Sequence, residues 1–394
     1  MTNPSAVGDH SSFVPSLRSG QALRPSSALG PTEQRNPSTL EIDRRSTREI
    51  LAIMNAEDAR VPAAVGRALP QIERVVEAIV ARWRRGGRLF YFGAGTSGRL
   101  GVLDAAECPP TFSSPPELVQ GFIAGGERAL RQAVEGAEDD PEGGAAEVAR
   151  AGVGPEDVVV GIAASGTTPY VLGALRAARE RGAFTAGLAC NPGAPLAALA
   201  DVAIEIDVGP EVVTGSTRLK AGTAQKLVLN MLTTASMIRS GKVYGNLMVD
   251  LTATNAKLRR RAARIVAAVA GVGEAEAARL VAQTGYRAKP AIVMALAGCD
   301  AAEAERRLAA AGGMLRGALE ALGVSASVGP GTAAGEIRLP LPEGEGWGEG
   351  GQGEPAAAKE PPTHPHPSPL PEGEGTRSAL SAGEGTARQT EHAS

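Results

Sequence analysis

Glycines and hydroxyl side chains follow an apolar run early in the chain, in a pattern that suits a phosphate. Leu89–Phe92 is followed by Gly93-Ala94-Gly95 and then by Thr96 and Ser97. Glycine lets the backbone come close to a ligand, and the free N–H groups of a first helical turn attract anions. The stretch therefore predicts a strand, a tight turn and a helix start that bind a phosphate. The alternative is a connection that needs glycine only for its backbone angles.

A second loop repeats this pattern further along the chain. The apolar run Val158–Ala163 is followed by Ala164-Ser165-Gly166-Thr167-Thr168, and Pro169 then suits the first turn of a helix. Taken alone, Ser165 or Thr167 could be an ordinary helix cap. Because both hydroxyl-rich loops follow strands of one predicted sheet, together they favour a single bound phosphate.

The first loop also satisfies the G-x-G-x-x-G pattern of dinucleotide sites, through Gly93, Gly95 and Gly98. Such a site needs an acidic residue at the end of the second strand to hold a ribose. The second apolar run, Leu118–Ala124, reaches its first acidic residue only at Glu127. We therefore favour one phosphate over a dinucleotide.

Acid–base chemistry in the folded part of the chain must use groups other than imidazole. Every histidine lies in a segment with the composition of a tail: His10, His364, His366 and His392. Carboxylates, lysine, tyrosine and cysteine are the remaining candidates for proton transfer. A metal site built on imidazole is excluded as well.

Glu107 is the first candidate acid. It precedes Cys108 and Pro109, and a residue before proline avoids helical angles, so we expect the helix to end near Cys108. Glu107 would then lie in the last turn, where the helix dipole disfavours a negative charge, and this suits a general acid. The alternative is an ordinary glutamate that faces solvent.

A second acidic group, Glu135 to Asp140, follows a predicted helix that begins near Gly126. It contains Glu135 and Glu138, and their spacing does not favour one of them as a base. A solvated acidic loop is the alternative. Lys220 lies near the start of another predicted helix, where a cation is unfavourable to the dipole, so it either faces an anion or is solvated.

Short apolar runs alternate with helical patterns through the middle of the chain. Residues 41–55 and 63–85 read as helices, and five apolar runs that follow read as strands: 89–92, 118–124, 158–163, 184–189 and 202–206. This alternation predicts a doubly wound α/β fold, a parallel sheet with helices on both faces. Ligands of such sheets bind beyond the carboxyl ends of the strands, where both glycine-rich loops fall.

Composition divides the chain of 394 residues into four parts. Residues 1–31 and 326–394 are predicted to be disordered tails, and the second contains the string PLPEGEG twice. Residues 32–257 form the predicted sheet domain with its N-terminal helices. Residues 258–325 are rich in alanine and predict a small helical domain without a cluster of polar residues suited to catalysis.

Charge and cysteine content limit the partners and the compartment. The net charge is −3, with no basic block for nucleic acid and no apolar run long enough for a membrane. No secretory leader is expected from the first residues. The scattered cysteines, Cys108, Cys190 and Cys299, suit a reducing cytoplasm and have no metal-site spacing.

Several strings of the sequence resemble one family when they are taken together. They are TEQRNPSTLEIDRRST, GAGTSGRL…LDAAECPPT, AVEGAEDD, GIAASGTTPY, VVTGSTRLKAGTAQKLVLNML and GNLMVDLTATN. Their order and spacing resemble the N-acetylmuramic acid 6-phosphate etherases over about residues 32–322. The resemblance implies a sugar isomerase (SIS) domain and a C-terminal helical domain similar to ubiquitin-associated domains. It also implies a cytoplasmic homodimer with the site near the subunit interface and no metal or cofactor.

The resemblance further implies a reaction and a set of site residues. The family splits the lactyl ether at C3 of N-acetylmuramic acid 6-phosphate, giving N-acetylglucosamine 6-phosphate and D-lactate. It implies that Glu107 is the acid and Glu138 the base that takes the C2 proton. It places the phosphate on the two loops, at Thr96, Ser97, Gly98, Ser165, Gly166 and Thr168, with Lys220 as a further substrate contact. Thr167 stands where some relatives are expected to have arginine.

Two other functions and one difficulty of geometry stay open from the sequence. A sugar-phosphate sensor would need the loops but neither glutamate, and an aldose–ketose isomerase could use one carboxylate.

A straight helix from Ser97 to Glu107 spans roughly 15 Å, longer than the reach from a hexose phosphate to its C3. Either that helix bends early, or the loops and the Glu107 that serve one sugar come from different subunits.

Overall fold

The computed structural model describes residues 30–251, 253 and 255–324. The predicted disordered tails therefore lie almost wholly outside the described residues. Within them the strands are β1 (Leu89–Gly93), β2 (Val119–Ile123), β3 (Val158–Ile162), β4 (Phe184–Ala189), β5 (Val202–Glu205), β6 (Val243–Tyr244) and β7 (Leu247–Met248).

The α-helices of the same residues are α1 (Thr47–Asp58), α2 (Val61–Arg67), α3 (Leu69–Trp83), α4 (Gly95–Phe112), α5 (Gly126–Arg131), α6 (Pro141–Arg150), α7 (Pro169–Glu180), α8 (Pro195–Leu199), α9 (Lys220–Arg239), α10 (Ala256–Ala270), α11 (Glu274–Gln283), α12 (Ala288–Ala297), α13 (Ala301–Ala310) and α14 (Leu315–Glu320). Single 3-10 turns lie at Pro31–Glu33, Pro37–Thr39, Ile42–Arg44 and Ala137–Asp139.

The five main strands form one parallel sheet in the order β2-β1-β3-β4-β5. Strand β1 lies between β2 and β3. The chain passes from β1 to β2 on one side and then crosses back to β3 on the other side. This point, where the strand order reverses, is where ligands of open parallel sheets bind. The predicted doubly wound sheet is therefore confirmed, and the two predicted loops follow neighbouring strands.

Helices cover both faces of this sheet, as predicted. Alternate residues of β1 point to opposite sides: Leu89 and Tyr91 share one apolar core with α2, α3, α4 and α9. Phe90 and Phe92 share a second core with α6, α7 and α8. Phe92 also stacks on Phe122 of β2, with ring centroids 4.9 Å apart. Burial of the central strands on both faces explains why their sequence is continuously apolar.

Three predicted helices have different bounds in the structure. The helix expected over 41–55 begins only at Thr47, where Ser46 caps its N-terminus, and it ends at Asp58. The helix expected over 63–85 is two helices that meet at Ala68, because Pro70 has no N–H to continue α2 and instead opens α3. The helix expected to end near Cys108 continues through Pro109 and Pro110 to Phe112.

Packing overrides the local effect of those two prolines. Cys108 and Phe112 are both buried in the core beneath the sheet, so the last turn of α4 is held by tertiary contacts. The helix ends where Ser113 adopts a left-handed conformation and its N–H bonds to the carbonyl of Pro109. Glu107 therefore lies more than one turn before the helix end, and the argument from the C-terminal dipole was wrong.

The C-terminal helices α10–α14 enclose an apolar core of their own, to which Tyr244 and Leu251 also belong. A domain boundary at residue 257 stays a prediction, as does the likeness to ubiquitin-associated domains. In the described part of the chain, no helix is both long enough and apolar enough to cross a membrane.

Candidate active site

The first predicted phosphate loop presents mainly backbone groups to a ligand. Helix α4 begins at Gly95, which has a φ of 52°, and no side chain caps its N-terminus. A Cβ on Gly93 would lie 2.7 Å from the N of Gly98, and one on Gly98 would lie 2.7 Å from the O of Gly93. Strand and helix can approach this closely only without side chains, and the first helical N–H groups are left to bind an anion.

The second loop lies at the end of the neighbouring strand. Residues 163–168 connect β3 to α7, whose N-terminus also has no side-chain cap. The hydroxyl of Ser165 accepts from the N–H of Thr167 at 3.2 Å, and Gly166 has a φ of 71°. Since β1 and β3 are paired, both loops start from the same edge of the sheet at adjacent strands. Binding of one phosphate by both loops is consistent with this placement and stays a prediction.

Ser97 is held by a residue that the sequence analysis did not single out. Its side chain is buried, and its Oγ donates to Oε1 of Gln225 at 2.9 Å. Gln225 is fully buried in α9, and its Nε2 has no hydrogen-bond partner among the described residues. Sequence reasoning missed Gln225 because its only signal was its place in a helix that follows a third hydroxyl-rich segment.

Glu138 lines a cavity of about 220 Å³ beside the first loop. Gly95 and Arg99 of α4 form one wall, and Glu135 and Glu138 lie on the other. The guanidinium of Arg99 donates to the carbonyls of Ala129 and Leu130 at the end of α5, which fixes the segment that leads to both glutamates. The structure thus brings one carboxylate candidate to the phosphate loop without choosing between Glu135 and Glu138.

Glu107 lines a different cavity, of about 300 Å³, between α4 and α9. Leu103 and Asp104 share the α4 wall with it, and Lys226 and Asn230 stand on the α9 wall. Glu107 is exposed, and it makes no hydrogen bond or ion pair with any described residue. The two predicted catalytic glutamates are therefore not brought together within one chain.

The floor of the Glu107 cavity is a buried carboxylate with donors on both of its oxygens. Oδ1 of Asp104 accepts from Nδ2 of Asn230 at 2.8 Å and from Oγ1 of Thr233 at 3.2 Å. Oδ2 accepts from the hydroxyl of Tyr91 at 3.0 Å. Burial raises the pKa of Asp104 above its ordinary value, although the three donors oppose this. Burial and the neighbouring Asp104 charge also hold the pKa of Tyr91 well above its usual range.

Lys220 lies in neither cavity. It is fully buried, and its Nζ forms an ion pair with Glu57 of α1. Nδ2 of Asn36 donates to the same Glu57 oxygen at 3.0 Å, and Glu211 accepts from the N–H groups of Lys220 and Ala221 at 3.0 and 2.9 Å. The solvated alternative for Lys220 was wrong, and the anion that it faces here belongs to the protein. A contact with substrate stays a prediction.

A metal site is not evident in the described part of the chain. No three histidine, cysteine, aspartate or glutamate side chains of residues 30–251, 253 and 255–324 are close enough to hold a metal ion. The described cysteines, Cys108, Cys190 and Cys299, are free thiols. Burial raises the pKa of Cys108 to about 12 and that of Cys190 to about 12, so neither is a ready nucleophile or ligand.

Models of two related domain families match this chain. The N-terminal SIS domain of glucokinase regulatory protein matches residues 71–179, and the SIS domain matches residues 142–235. Together the matches extend from α3 to α9 and include both loops, both cavities and the whole parallel sheet.

Curated relatives match over most of the described residues, and their printed name is N-acetylmuramic acid 6-phosphate etherase. The protein of Rubrobacter xylanophilus is 57% identical over 261 residues, which is 66% of this chain and 87% of the relative. The protein of Brucella anthropi is 56% identical over 290 residues, 74% of this chain and 94% of the relative. That of Geobacillus thermodenitrificans is 55% identical over 289 residues, 73% and 98% respectively.

Proposed function

This chain belongs to the N-acetylmuramic acid 6-phosphate etherase family, and we propose on that premise that it is a carbon–oxygen lyase. Its reaction is cleavage of the D-lactyl ether of N-acetylmuramic acid 6-phosphate to N-acetylglucosamine 6-phosphate and D-lactate. The observation that carries the proposal is the identity of 55 to 57% with curated etherases over 261 to 290 residues. Release of D-lactate from the phosphorylated substrate, and not from its unphosphorylated form, tests it directly.

The phosphate is assigned to the loops after β1 and β3. Thr96, Ser97 and Gly98 supply the start of α4, and Ser165, Gly166 and Thr168 supply the second loop. Uncapped helix starts at neighbouring strands offer several N–H donors to a dianion, and the hydroxyls of Thr96, Ser165 and Thr168 add further donors, whereas the hydroxyl of Ser97 already donates to Gln225. Thr167 is exposed and lies at the outer side of its loop, where arginine would add a charge.

The two carboxylates divide the proton transfers. Opening of the sugar ring leaves an aldehyde at C1 that makes the C2 proton acidic. Glu138 removes that proton, the electron pair forms the C2–C3 double bond, and the C3–O bond breaks as Glu107 protonates the departing lactate oxygen. Water then adds across the double bond, with hydroxide to C3 and a proton to C2. Residues 30–324 contain no histidine, so carboxylates are the natural acid–base pair in this body.

The site is assigned to a homodimer, with loops from one subunit and Glu107 from the other. Glu107 and Ser97 lie on one continuous helix, and ten residues of helix separate them by roughly 15 Å. Helix α4 runs unbroken from Gly95 to Phe112, and we favour the shared site over an early bend as the way to bring the two groups to one sugar. Leu103, beside Glu107, is 49% exposed, and we assign the second subunit to this side of α4.

Mixed dimers test this shared site. Ser97→Ala subunits are expected to keep only a small measurable activity and Glu107→Gln subunits none, whereas their mixture contains dimers with one intact site. Recovery of about half of the wild-type rate per mixed dimer, which is about a quarter over all dimers of an equal mixture, supports the shared site. If the mixture stays inactive while exchange of subunits is demonstrated by differently tagged chains, each site is confined to one subunit.

The remaining assignments concern surroundings rather than chemistry. The free cysteines suit a reducing cytoplasm, and no cofactor or metal takes part in the proposed steps. Residues 258–325 are assigned to a small separate domain, supported by the apolar core that α10–α14 enclose.

A further inference from the structure

The cavity that holds Glu107 contains one cation and one fixed amide that the proposed steps do not use. Among the described residues that line it, Lys226 is the only basic one, and Asn230 is the only amide. Both belong to α9 and are four residues apart, so they share the face of the helix that looks toward α4. The α9 wall, which lies opposite Asp104 and Glu107 of α4, therefore offers a small anion one positive charge and one hydrogen-bond donor.

Lys226 is available for such an anion. Its side chain is exposed, and it forms no ion pair with Glu107, Asp104 or any other carboxylate of the described residues. By contrast, Lys220, Lys242 and Lys289 each have an acidic partner. An unpaired ammonium on a cavity wall is a point charge that can take a carboxylate oxygen.

Asn230 is held in a single orientation by groups behind it. Its Nδ2 donates to Oδ1 of Asp104 at 2.8 Å, and Asp104 is in turn fixed by Tyr91 and Thr233. The amide nitrogen carries two hydrogens, and Asp104 takes one of them, so the second remains for the cavity. A donor held this way binds a ligand without losing side-chain freedom.

The chemistry of the substrate places an anion close to Glu107. In a lactyl ether, one carbon atom carries both the ether oxygen and the carboxylate. An acid that protonates the ether oxygen therefore has the carboxylate of the leaving group within a few ångströms. Resting on the proposed function, we propose that Lys226 and Asn230 bind the lactyl carboxylate while Glu107 protonates the ether oxygen. Lys226 and Asn230 are then the residues by which the protein recognises the ether substituent.

A pair of substrates tests this proposal, since it concerns one functional group. The first is N-acetylmuramic acid 6-phosphate, and the second is its primary lactamide, which is neutral and of the same size. Formation of N-acetylglucosamine 6-phosphate is the readout, because both substrates give it. We expect the wild type to prefer the acid, and Lys226→Met to lose about 10- to 100-fold in kcat/KM on the acid, mainly through KM. The same variant should change by less than about threefold on the amide.

Further variants separate the carboxylate contact from other roles. Lys226→Arg keeps the charge and should retain most of the preference, and Asn230→Ala should lose part of it. Lys257→Met, which removes an exposed lysine of α10 that lines neither cavity, is the control for net charge. Thermal unfolding of each variant identifies any that is not folded at the assay temperature.

The outcomes are distinct. If Lys226→Met keeps the wild-type preference, or loses rate equally on both substrates, the carboxylate assignment is overturned. If the wild type forms no product from the acid, the proposed function itself fails. Inhibition by D-lactate that is present in the wild type and weakened in Lys226→Met would support the assignment independently.

Discussion

The hydroxyl of Ser97 donates to the amide oxygen of Gln225 at 2.9 Å, and both side chains are buried. This contact joins the start of α4 to α9 across 128 positions of sequence. Because the single proton of this hydroxyl goes to Gln225, Ser97 has no side-chain hydrogen left for the proposed phosphate, and Gln225 instead holds the first turn of α4 in place. Gln225 is therefore expected to act on phosphate binding through Ser97.

Replacing Gln225 by methionine tests this relation. Gln225→Met removes the acceptor for Ser97 and also removes an amide nitrogen that has no partner among the described residues. We expect a rise in KM of about 3- to 30-fold with a change in unfolding free energy within about 1 kcal/mol. Steady-state kinetics and urea unfolding measure the two quantities. In Ser97→Ala, the further change Gln225→Met should add little, and full additivity would show that the two residues act separately.

Glu107 and Glu138 are expected to fail at different steps. Glu107→Gln should abolish D-lactate release and still allow the C2 proton to exchange with solvent. Glu138→Gln should abolish both, because the base acts before the ether breaks. Proton NMR in deuterated water follows the exchange, and a coupled lactate assay follows release. Glu135→Gln is the matched control from the same cavity, and loss of exchange in Glu135→Gln alone would transfer the role of base to Glu135.

The buried ion pair Lys220–Glu57 should stabilise the fold by an amount that depends on pH. Burial alone would raise the pKa of Glu57, but Lys220, together with the smaller effects of Arg60 and Asn36, outweighs it, so this pKa is lowered below 4.5. A lowered folded-state pKa contributes stability that is present above pH 4.5 and is lost as pH falls below it. Lys220→Met should cost about 3–5 kcal/mol at pH 7, since it leaves a buried carboxylate without its partner.

Urea unfolding from pH 3.5 to 7 measures this contribution. The loss of stability in Lys220→Met should shrink toward low pH. There the unpaired Glu57 carboxylate of the variant is protonated, and the wild type loses the stability that the ion pair contributes. Glu57→Gln combined with Lys220→Met should recover much of the stability, since neither charge is then buried alone. A loss in Lys220→Met that is independent of pH would mean that packing, rather than the charge pair, dominates.

The contribution of Asp104 to stability is expected to change with pH in the opposite direction. Its folded-state pKa is raised above 3.8, mainly by burial, so the native state binds this proton more tightly than the unfolded chain. Its contribution to stability is therefore largest at low pH and decreases as pH rises above 3.8. Asp104→Asn should flatten this part of the profile, and at pH 7 it should cost about 1–3 kcal/mol through disturbed hydrogen bonds.

Equilibrium unfolding of Asp104→Asn between pH 4 and 7.5 checks both statements. Tyr91→Phe, which removes one donor and leaves the carboxylate, is the companion variant. An Asp104→Asn profile that parallels the wild type over this range would contradict the assignment of the slope to Asp104.

The features that the sequence predicted correctly are those encoded locally. The strands around 89–92 and 158–163 are continuous apolar runs, and the glycines and hydroxyls after them mark the ends of strands. The alternation of such runs with helical patterns was enough to predict a parallel sheet covered on both faces. The roles of Glu107 and Glu138 came from resemblance to a family and not from spacing.

The features that the sequence did not predict depend on distant contacts. The continuation of α4 past Pro109 follows from burial of Cys108 and Phe112, which no local rule contains. The partner of Lys220 is 163 positions away in the sequence, and that of Ser97 is 128 positions away. Residue pattern identifies which groups carry chemistry, whereas their partners are decided by how the helices pack on the sheet.

The mutual contact of Gly93 and Gly98 limits how this protein could acquire a new substrate. With a Cβ at either position less than 3 Å from the backbone of the other, the anchoring loop tolerates almost no side-chain variation. In the proposed site, changes of specificity are therefore expected on the helical walls of the two cavities rather than in this loop. Relatives that act on other phosphorylated hexoses should share this anchor and differ on the surfaces of α4 and α9.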